Sequence, residues 1–498
     1  MTDLDSLRRK AKLLRRAYGA ADSAAAARVH IHVANGPTPL KHADFLHVIA
    51  REAHFDSWPR LKLAVETQGM DRAAKQQRLK IALSQGQTFV IEMLLNDTPD
   101  LANGLLGLEI ALYDLPAVRA ALAADAGAAT KAVGPRRPIH HLAFSRYIHL
   151  RPDLSRDMIA IAALLVATGA DVNDALQPPG DSGALSPLYG AISGNNIALA
   201  EWLLTHGADP NDGESLYHAT ELRHHEGLRL LLAHAARPEG TNALPRALDF
   251  NDHEAVQMLL KAGADPNEAR CGAIPALPHA ARRMCDGAMV RLLLDAGAHP
   301  SSRWQGLTAF AIARVYGNVE AARLIAEAGG DTELSHTETL LADAAQGLET
   351  EGAYLNPATL PEEYRNLLRG LQDGTNRLSH IRALVALGLE YDRPDAMGVT
   401  PVQYAGWSGQ PDMVALFLEL RPDLGHVNRH GSSLLTTIIH GSENAPFRDS
   451  SDHIACARLA LEHGVALPRS AADLAGDADM RLFLKDWATA HPGQVVGA

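Results

Sequence analysis

The chain has 498 residues, 47% of them hydrophobic but only 5% aromatic, and a formal net charge of −12. No stretch of about 18 uncharged apolar residues occurs, so no membrane-spanning helix is predicted, and the opening MTDLDSLRRK lacks the apolar core of a secretory leader. Three cysteines, Cys271, Cys285 and Cys456, are odd in number and form no CxxC; this fits a reducing compartment, and the cytoplasm is the expected location.

Charge is unevenly placed. Residues 1–80 hold 15 Lys/Arg against 8 Asp/Glu, whereas residues 81–498 hold 31 against 50. Phosphate binding draws its affinity from clustered cations, so an acidic body argues against nucleic acid and predicts a neutral or basic protein surface as partner. In chain order, Leu4, Leu7, Ala11, Leu14 and Tyr18 recur at helical spacing, with Arg8, Arg9, Lys12, Arg15 and Arg16 mostly on the other faces. Thr2 with Asp5 suggests a capping-box start. The basic face reads as solvated, on a helix packed against an acidic neighbour. Further on, Ser57 can cap the helix that Trp58 and Pro59 open, and Trp58 offers a large apolar surface to close the end of a stack. Residues 1–75 are thus predicted to be a helical N-terminal cap.

Beyond this module a Leu-rich stretch ends five times on one signal: MIAIAALLVATGADVN (158–173), NIALAEWLLTHGADPN (196–211), HEAVQMLLKAGADPN (253–267), GAMVRLLLDAGAHPS (287–301) and NVEAARLIAEAGGDTE (318–333). Gly169, Gly207, Gly263, Gly297 and Gly329 stand where a left-handed C-cap is needed, and the Asp and Asn that follow favour a turn. The glycines are spaced by 38, 56, 34 and 32 residues; the 56 reads as two units of 28, with Ala235 a degraded cap between them. Those short units leave no room for a long hairpin finger. Weaker units read at 79–103, 108–125, 214–235, 432–467 and 472–490. No single unit can bury its own apolar face, so the chain is predicted to stack its repeats.

These units resemble ankyrin repeats, whose period is about 33 residues with a Thr-Pro-Leu-His-x-Ala opening to the first helix. The opening survives in worn form at Pro138-Ile139-His140, Ser186-Pro187-Leu188-Tyr189, Gly306-Leu307-Thr308-Ala309-Phe310 and, best, Gly398-Val399-Thr400-Pro401-Val402-Gln403-Tyr404-Ala405. Its histidine is kept at His140, with His279 a second candidate, while Tyr189, Tyr217, Pro245, Ala311 and Gln403 take its place elsewhere. Phe55, Ser57, Trp58, Pro59, Leu61 and Lys62 resemble a helical block found ahead of ankyrin repeats in bacterial proteins, and residues 406–444 resemble a unit recurring in them, which implies a bacterial origin. The resemblance implies an all-α solenoid of antiparallel helix pairs, each helix about 8–12 residues long, in about eleven or twelve divergent units over 76–490, followed by a flexible tail, 491–498. It also implies partner contacts from turn tips and from exposed positions of the first helices. Mapped onto this chain, those positions are His141, Ser193, His218, Arg246, Asp249, Arg283, Tyr316, Tyr404 and Trp407, with Trp304 at a tip. Exposed aromatics and arginines are the residue types that carry binding energy; coverage of Tyr404 and Trp407 by the neighbouring repeat is the competing expectation.

The period breaks at 343–380, where Pro361-Glu362-Glu363-Tyr364 predicts an ordered helix inside an insertion. Shorter insertions lie at 145–156, 174–186 and 442–452. Of the 24 histidines, the pairs His30/His32, His140/His141 and His224/His225 lack a third ligand, and Cys271, His279 and Cys285 read as structural rather than as a zinc site. No phosphate loop, Gly-x-Gly-x-x-Gly or Gly-x-Ser-x-Gly occurs. The expected function is a non-catalytic, monomeric protein-binding scaffold without cofactor or metal. The competing class is a secreted effector or enzyme whose activity resides in residues 1–75 or in the insertion.

Overall fold

A left-handed residue terminates most second helices of the repeats, although Leu115–Ala124 ends on Asp125 in the extended region. In the computed structural model, which describes residues 4–33, 40, 42–177, 183–269, 274–348, 350, 352–372, 377–445 and 448–497, Gly169, Gly207, Gly263, Gly297 and Gly329 have φ between 81° and 104°. Ala235 adopts φ 64° at the equivalent position despite its Cβ. The Asp that follows accepts from the amide two residues on, at 2.9 Å for Asp171, 2.9 Å for Asp209 and 2.8 Å for Asp265. These are the turns expected from the Asp-x-Asn signal. The asparagine has a further task that the signal alone does not disclose, because it reaches the next repeat. Asn173 donates through Nδ2 to the Gly207 carbonyl (2.9 Å) and accepts at Oδ1 from the Asp209 amide (2.8 Å), and Asn211 Oδ1 accepts from the Arg237 amide (2.8 Å).

A second left-handed residue separates the two helices within a unit. It is Tyr113, Asn195, Arg223, Asn251 or Met284, and glycine at Gly317 and Gly409. Second helices then begin on an Asp or Asn side chain that accepts from their first turn, as at Asp114, Asn196, Asp252, Asp286, Asn318 and Asp452. First helices use a hydroxyl instead, at Ser186, Thr308, Thr400 and Ser433. Because the intervening turn cuts them off early, the first helices between Leu106 and Asp249 run 6–7 residues, shorter than expected.

The chain divides into two compact units, residues 1–270 and 271–498. Within the first, helices Leu4–Gly19, Ser23–His32, His42–Glu52 and Trp58–Thr67 enclose Leu7, Ala11, Leu14, Val29, Phe45, Ile49 and Trp58. Arg9, Lys10, Arg15 and Arg16 are exposed. Ser57 occupies the cap position of the helix Trp58–Thr67 but its hydroxyl makes no capping bond. Thr2 lies outside the described residues. The helix Trp58–Thr67 packs on Thr88–Asp97, which joins the module to the repeats. Five helix pairs follow, with first helices Leu106–Ala111, Pro138–Ala143, Pro187–Ser193, Ser215–Glu221 and Ala243–Asp249 packed side by side in one layer. Second helices Leu115–Ala124, Ser155–Ala167, Ile197–Thr205, His225–Ala233 and His253–Lys261 form the other.

In the second unit, first helices Ala276–Arg282, Ala309–Tyr316 and His336–Gln346 pack in sequence, as do Pro401–Trp407 and Leu434–Asn444. A hairpin pairs Arg303–Trp304 with Leu307–Thr308. The expected flexible tail is instead held: Val495–Val496 pair in parallel with Leu467–Pro468, and Gln494 Nε2 donates to the carbonyls of Leu461 and Val465, each at 2.7 Å. Among the described residues no helix is long and apolar enough to cross a membrane.

No heavy atom lies within 4 Å of where a Cβ on Gly207 or Gly263 would sit, so a substitution there meets backbone strain and no clash. Gly263→Val is expected to cost about 1–2 kcal/mol, and Ala235→Gly to gain about 0.5–1 kcal/mol by releasing the strain of a left-handed alanine. Urea denaturation of the two variants checks both signs. A separate expectation concerns His380, which is buried and has no hydrogen-bond partner at either ring nitrogen among the described residues; burial, and after it Arg377, pushes its imidazole down to about 4. The folded state holds it neutral while the unfolded chain protonates below about pH 6.5, so its contribution is complete above that pH and is lost as pH falls toward 4. His380→Leu should flatten the stability profile between pH 6.5 and 4.5 by about 2 kcal/mol in urea titrations.

Candidate functional site

Side-by-side first helices bring aromatic and cationic side chains of successive repeats close together in the first unit. Phe144, at the end of Pro138–Ala143, lies 5.9 Å from the Tyr189 ring on Pro187–Ser193. Tyr189 meets His218 on Ser215–Glu221 edge-on at 4.8 Å, and His218 meets Tyr217 edge-on at 5.0 Å. Cations stand at both ends: the Arg136 guanidinium lies 4.7 Å from the Phe144 ring centre and that of Arg246 4.9 Å from Phe250. All of these side chains are half-buried.

Carboxylates fix the polar members in place. His218 has Nδ1 3.3 Å from Glu214 Oε2 and Nε2 3.4 Å from Glu221 Oε2. Arg246 donates to Glu221 Oε1 (3.1 Å) and Asp249 Oδ2 (3.0 Å). Burial, and after it the nearby Glu carboxylates, hold the Tyr189 and Tyr217 phenols above their ordinary range, so both remain neutral donors. Of the residues named from sequence, His218, Arg246 and Asp249 are thus brought together. His141 stands apart, its Nε2 2.9 Å from the Val133 carbonyl. Ser193 turns inward, its hydroxyl donating to Gly190 O (3.2 Å) while its carbonyl accepts from Arg146 (3.3 Å). The rings of Phe144, Tyr189 and Tyr217 were not among the named positions, although Tyr189 and Tyr217 replace the opening histidine of their repeats and so carried a signal.

The second unit arranges its named residues differently. Tyr316 is only 1% exposed, and its hydroxyl donates to the Glu363 carboxylate. It is therefore core, in contrast to the exposed position expected for it. Glu363 comes from the insertion, is 5% exposed, and accepts from Arg282 Nε at 2.6 Å. Arg282 in turn lies 5.8 Å from the ring of Trp304 at the hairpin. Insertion residue Tyr364 is buried and donates to Glu338 Oε1 (2.9 Å), while Glu362 and Arg365 pair with Arg393 and Glu390. The described part of the insertion is thus built into the stack. Arg283, Tyr404 and Trp407 are half-buried; Trp407 lies 5.2 Å from the His440 ring, so the adjacent repeat covers part of it.

Among the described residues no group of three or more His, Cys, Asp or Glu could hold a metal ion. Cys271 lies outside the described residues. Cys285 and Cys456 are buried thiols, and burial, followed by Asp452, pushes that of Cys456 up to about 12, which makes it unreactive.

Removing one partner of a buried ion pair strands the other charge. Glu363→Ala is expected to destabilise the second unit by about 3 kcal/mol, while Glu363→Leu combined with Arg282→Met should cost clearly less. Denaturant titrations of the single and double variants give the comparison.

Residues 188–270 match the family model described as ankyrin repeats, in three copies. Among solved structures, an ankyrin repeat domain from Acinetobacter baumannii is 25% identical, with 39% of this chain and 98% of that chain covered and a TM-score of 0.32. An ankyrin repeat protein of Enterococcus is 24% identical, with 36% of this chain and 94% of that chain covered and a TM-score of 0.30. No curated protein matches the chain.

Proposed function

We propose, from the premise that the chain carries ankyrin repeats over 188–270, that it is a non-catalytic scaffold which holds another protein against its first-helix layer. The observation that carries this reading is the row of half-buried rings and guanidinium groups from Arg136 to Phe250, spaced 4.7–5.9 Å from one to the next within each contact. Tyr and Arg side chains held in this way lose little rotamer freedom on binding and present large contact surfaces, which is why they dominate binding energy at interfaces. In the second unit Trp304, Tyr404 and Trp407 are the corresponding contact residues. A partner of neutral to basic overall surface suits residues 81–498, which hold 50 acidic and 31 basic side chains. The protein acts as a monomer in the cytoplasm, without cofactor or metal.

Cross-linking capture from native lysate, read by mass spectrometry, tests the proposal. Cross-links are expected to map to residues 136–250, and Tyr189→Ala combined with Arg246→Ala should reduce capture about tenfold or more with an unchanged thermal melt. Tyr404→Ala with Trp407→Ala reports the share of the second unit. Absence of any specific interactor, or equal capture by both double variants, would overturn the scaffold assignment.

A further inference from the structure

One cavity in the first unit is lined by cationic side chains and by no carboxylate. It has a volume of about 330 Å³ and is walled by the helices Arg72–Gln85, Leu106–Ala111 and Pro138–Ala143 together with the turn Val133–Arg136. Its polar rim includes Lys80, Arg136 and His141, and no Asp or Glu lines it. Leu83, Leu108 and Ala111 make its buried apolar wall, and Phe144 forms one side.

Arg136 is the informative residue. Its neighbour Arg137 is paired with Asp174, and other arginines of this unit face a carboxylate, as Arg28 does Glu52 and Arg229 does Glu254. Arg136 makes no ion pair and no guanidinium hydrogen bond among the described residues; it is held over Phe144 by a turn whose Val133 amide donates to the Arg136 carbonyl at 2.7 Å. Lys80 likewise has no ion pair among the described residues. Burial depresses the Arg136 guanidinium with no carboxylate opposing it, and the charges of Arg136 and Lys80 help to depress His141, whose largest depressing cause is burial. Positive potential thus accumulates in a partly desolvated cavity where a fixed planar fork of donors is left open. That arrangement fits an oxyanion bidentately, and a low-dielectric wall strengthens the attraction.

We propose that this cavity binds an oxyanion, a carboxylate or a phosphoryl group, presented by the partner protein beside an apolar side chain, with Arg136 as the bidentate donor, Lys80 as the second cation and the Leu83–Leu108 wall as the apolar seat. The proposal rests on the scaffold reading and refines it: a partner that is neutral or basic overall places one acidic group here, which fixes its register on the row of rings that begins at Phe144.

Three capped peptides carrying a neutral fluorophore test it by anisotropy: Gly-Glu-Phe-Gly, its phosphoserine analogue and its glutamine analogue. At least one of the two oxyanion peptides is expected to bind saturably, the glutamine analogue about tenfold more weakly, and Arg136→Gln should bring the oxyanion peptide down to the glutamine level while Lys80→Gln weakens it less. The glutamate and phosphoserine arms tell the two sources apart. Circular dichroism melts confirm that the variants fold. No saturable binding by either oxyanion peptide, equal binding of the glutamine analogue, or full binding by a folded Arg136→Gln variant overturns the inference. If Tyr189→Ala with Arg246→Ala abolishes partner capture while Arg136→Gln leaves it intact, the oxyanion role fails and the scaffold stands.

Discussion

A polar side chain that satisfies a backbone group of the adjacent repeat, about thirty residues away along the chain, is the contact on which the remaining structure depends. Ser145 donates to the Ala111 carbonyl at 2.6 Å, Asn173 to Gly207 at 2.9 Å, Asn318 to Cys285 at 3.0 Å and Gln403 to Ser432 at 3.0 Å. His224 and His426 do the same for Ile192 and Gly398. The repeats contain tight turns whose peptide groups have no helical partner, and burying them unpaired would cost more than the packing between short helices returns. These bonds also set the register. Apolar contact alone would let one helix pair slide along the next, whereas a directional bond from Asn or His to a particular carbonyl does not.

Register is what makes the row of rings possible. Phe144, Tyr189 and His218 belong to three different repeats, separated in sequence by 45 and 29 residues, yet sit at contact distance because the first helices stand side by side at fixed height. A binding surface of this kind comes from rigid elements rather than loops, so its geometry is set before a partner arrives. The carboxylates around His218 and Arg246 reinforce that rigidity, since each long side chain is already held by a neighbour.

Glycine made one of the two turns legible in the sequence, and its rarity in the other hid it. The cap after a second helix is glycine in most repeats, and even Ala235 could be placed from spacing alone. The turn between the helices of a pair also needs a left-handed residue, but Tyr113, Arg223 and Met284 supply it at a steric cost that their surroundings offset, and none of these residue types signals a turn. Tyr316 was misplaced for a different reason. Its position is one that the resemblance to ankyrin repeats implies is exposed, but the carboxylate that covers it comes from an insertion 47 residues later, and a repeat pattern carries no information about where an insertion returns. The insertion's helix itself was legible, from Pro361 and the two acids behind it. Tyr189 and Tyr217 were visible as substitutions in a worn motif, but the stacking that gives them meaning exists only between repeats.

The bond between Arg282 and Glu363 spans 81 residues, in a protein whose other inter-repeat bonds mostly bridge neighbours. A chain built from nearest-neighbour contacts can fold one repeat at a time as it leaves the ribosome, each new repeat docking on a finished predecessor. Residues Ala276–Tyr316 break that rule. When their repeats are complete, the guanidinium of Arg282 and the phenol of Tyr316 still await a carboxylate yet to be synthesised, so the second unit has a stage of assembly at which its earlier part is stacked but its polar core is open. Closure by Glu363 therefore joins distant repeats into one cooperative block, and unfolding of that block must break a link that fraying from either end does not reach.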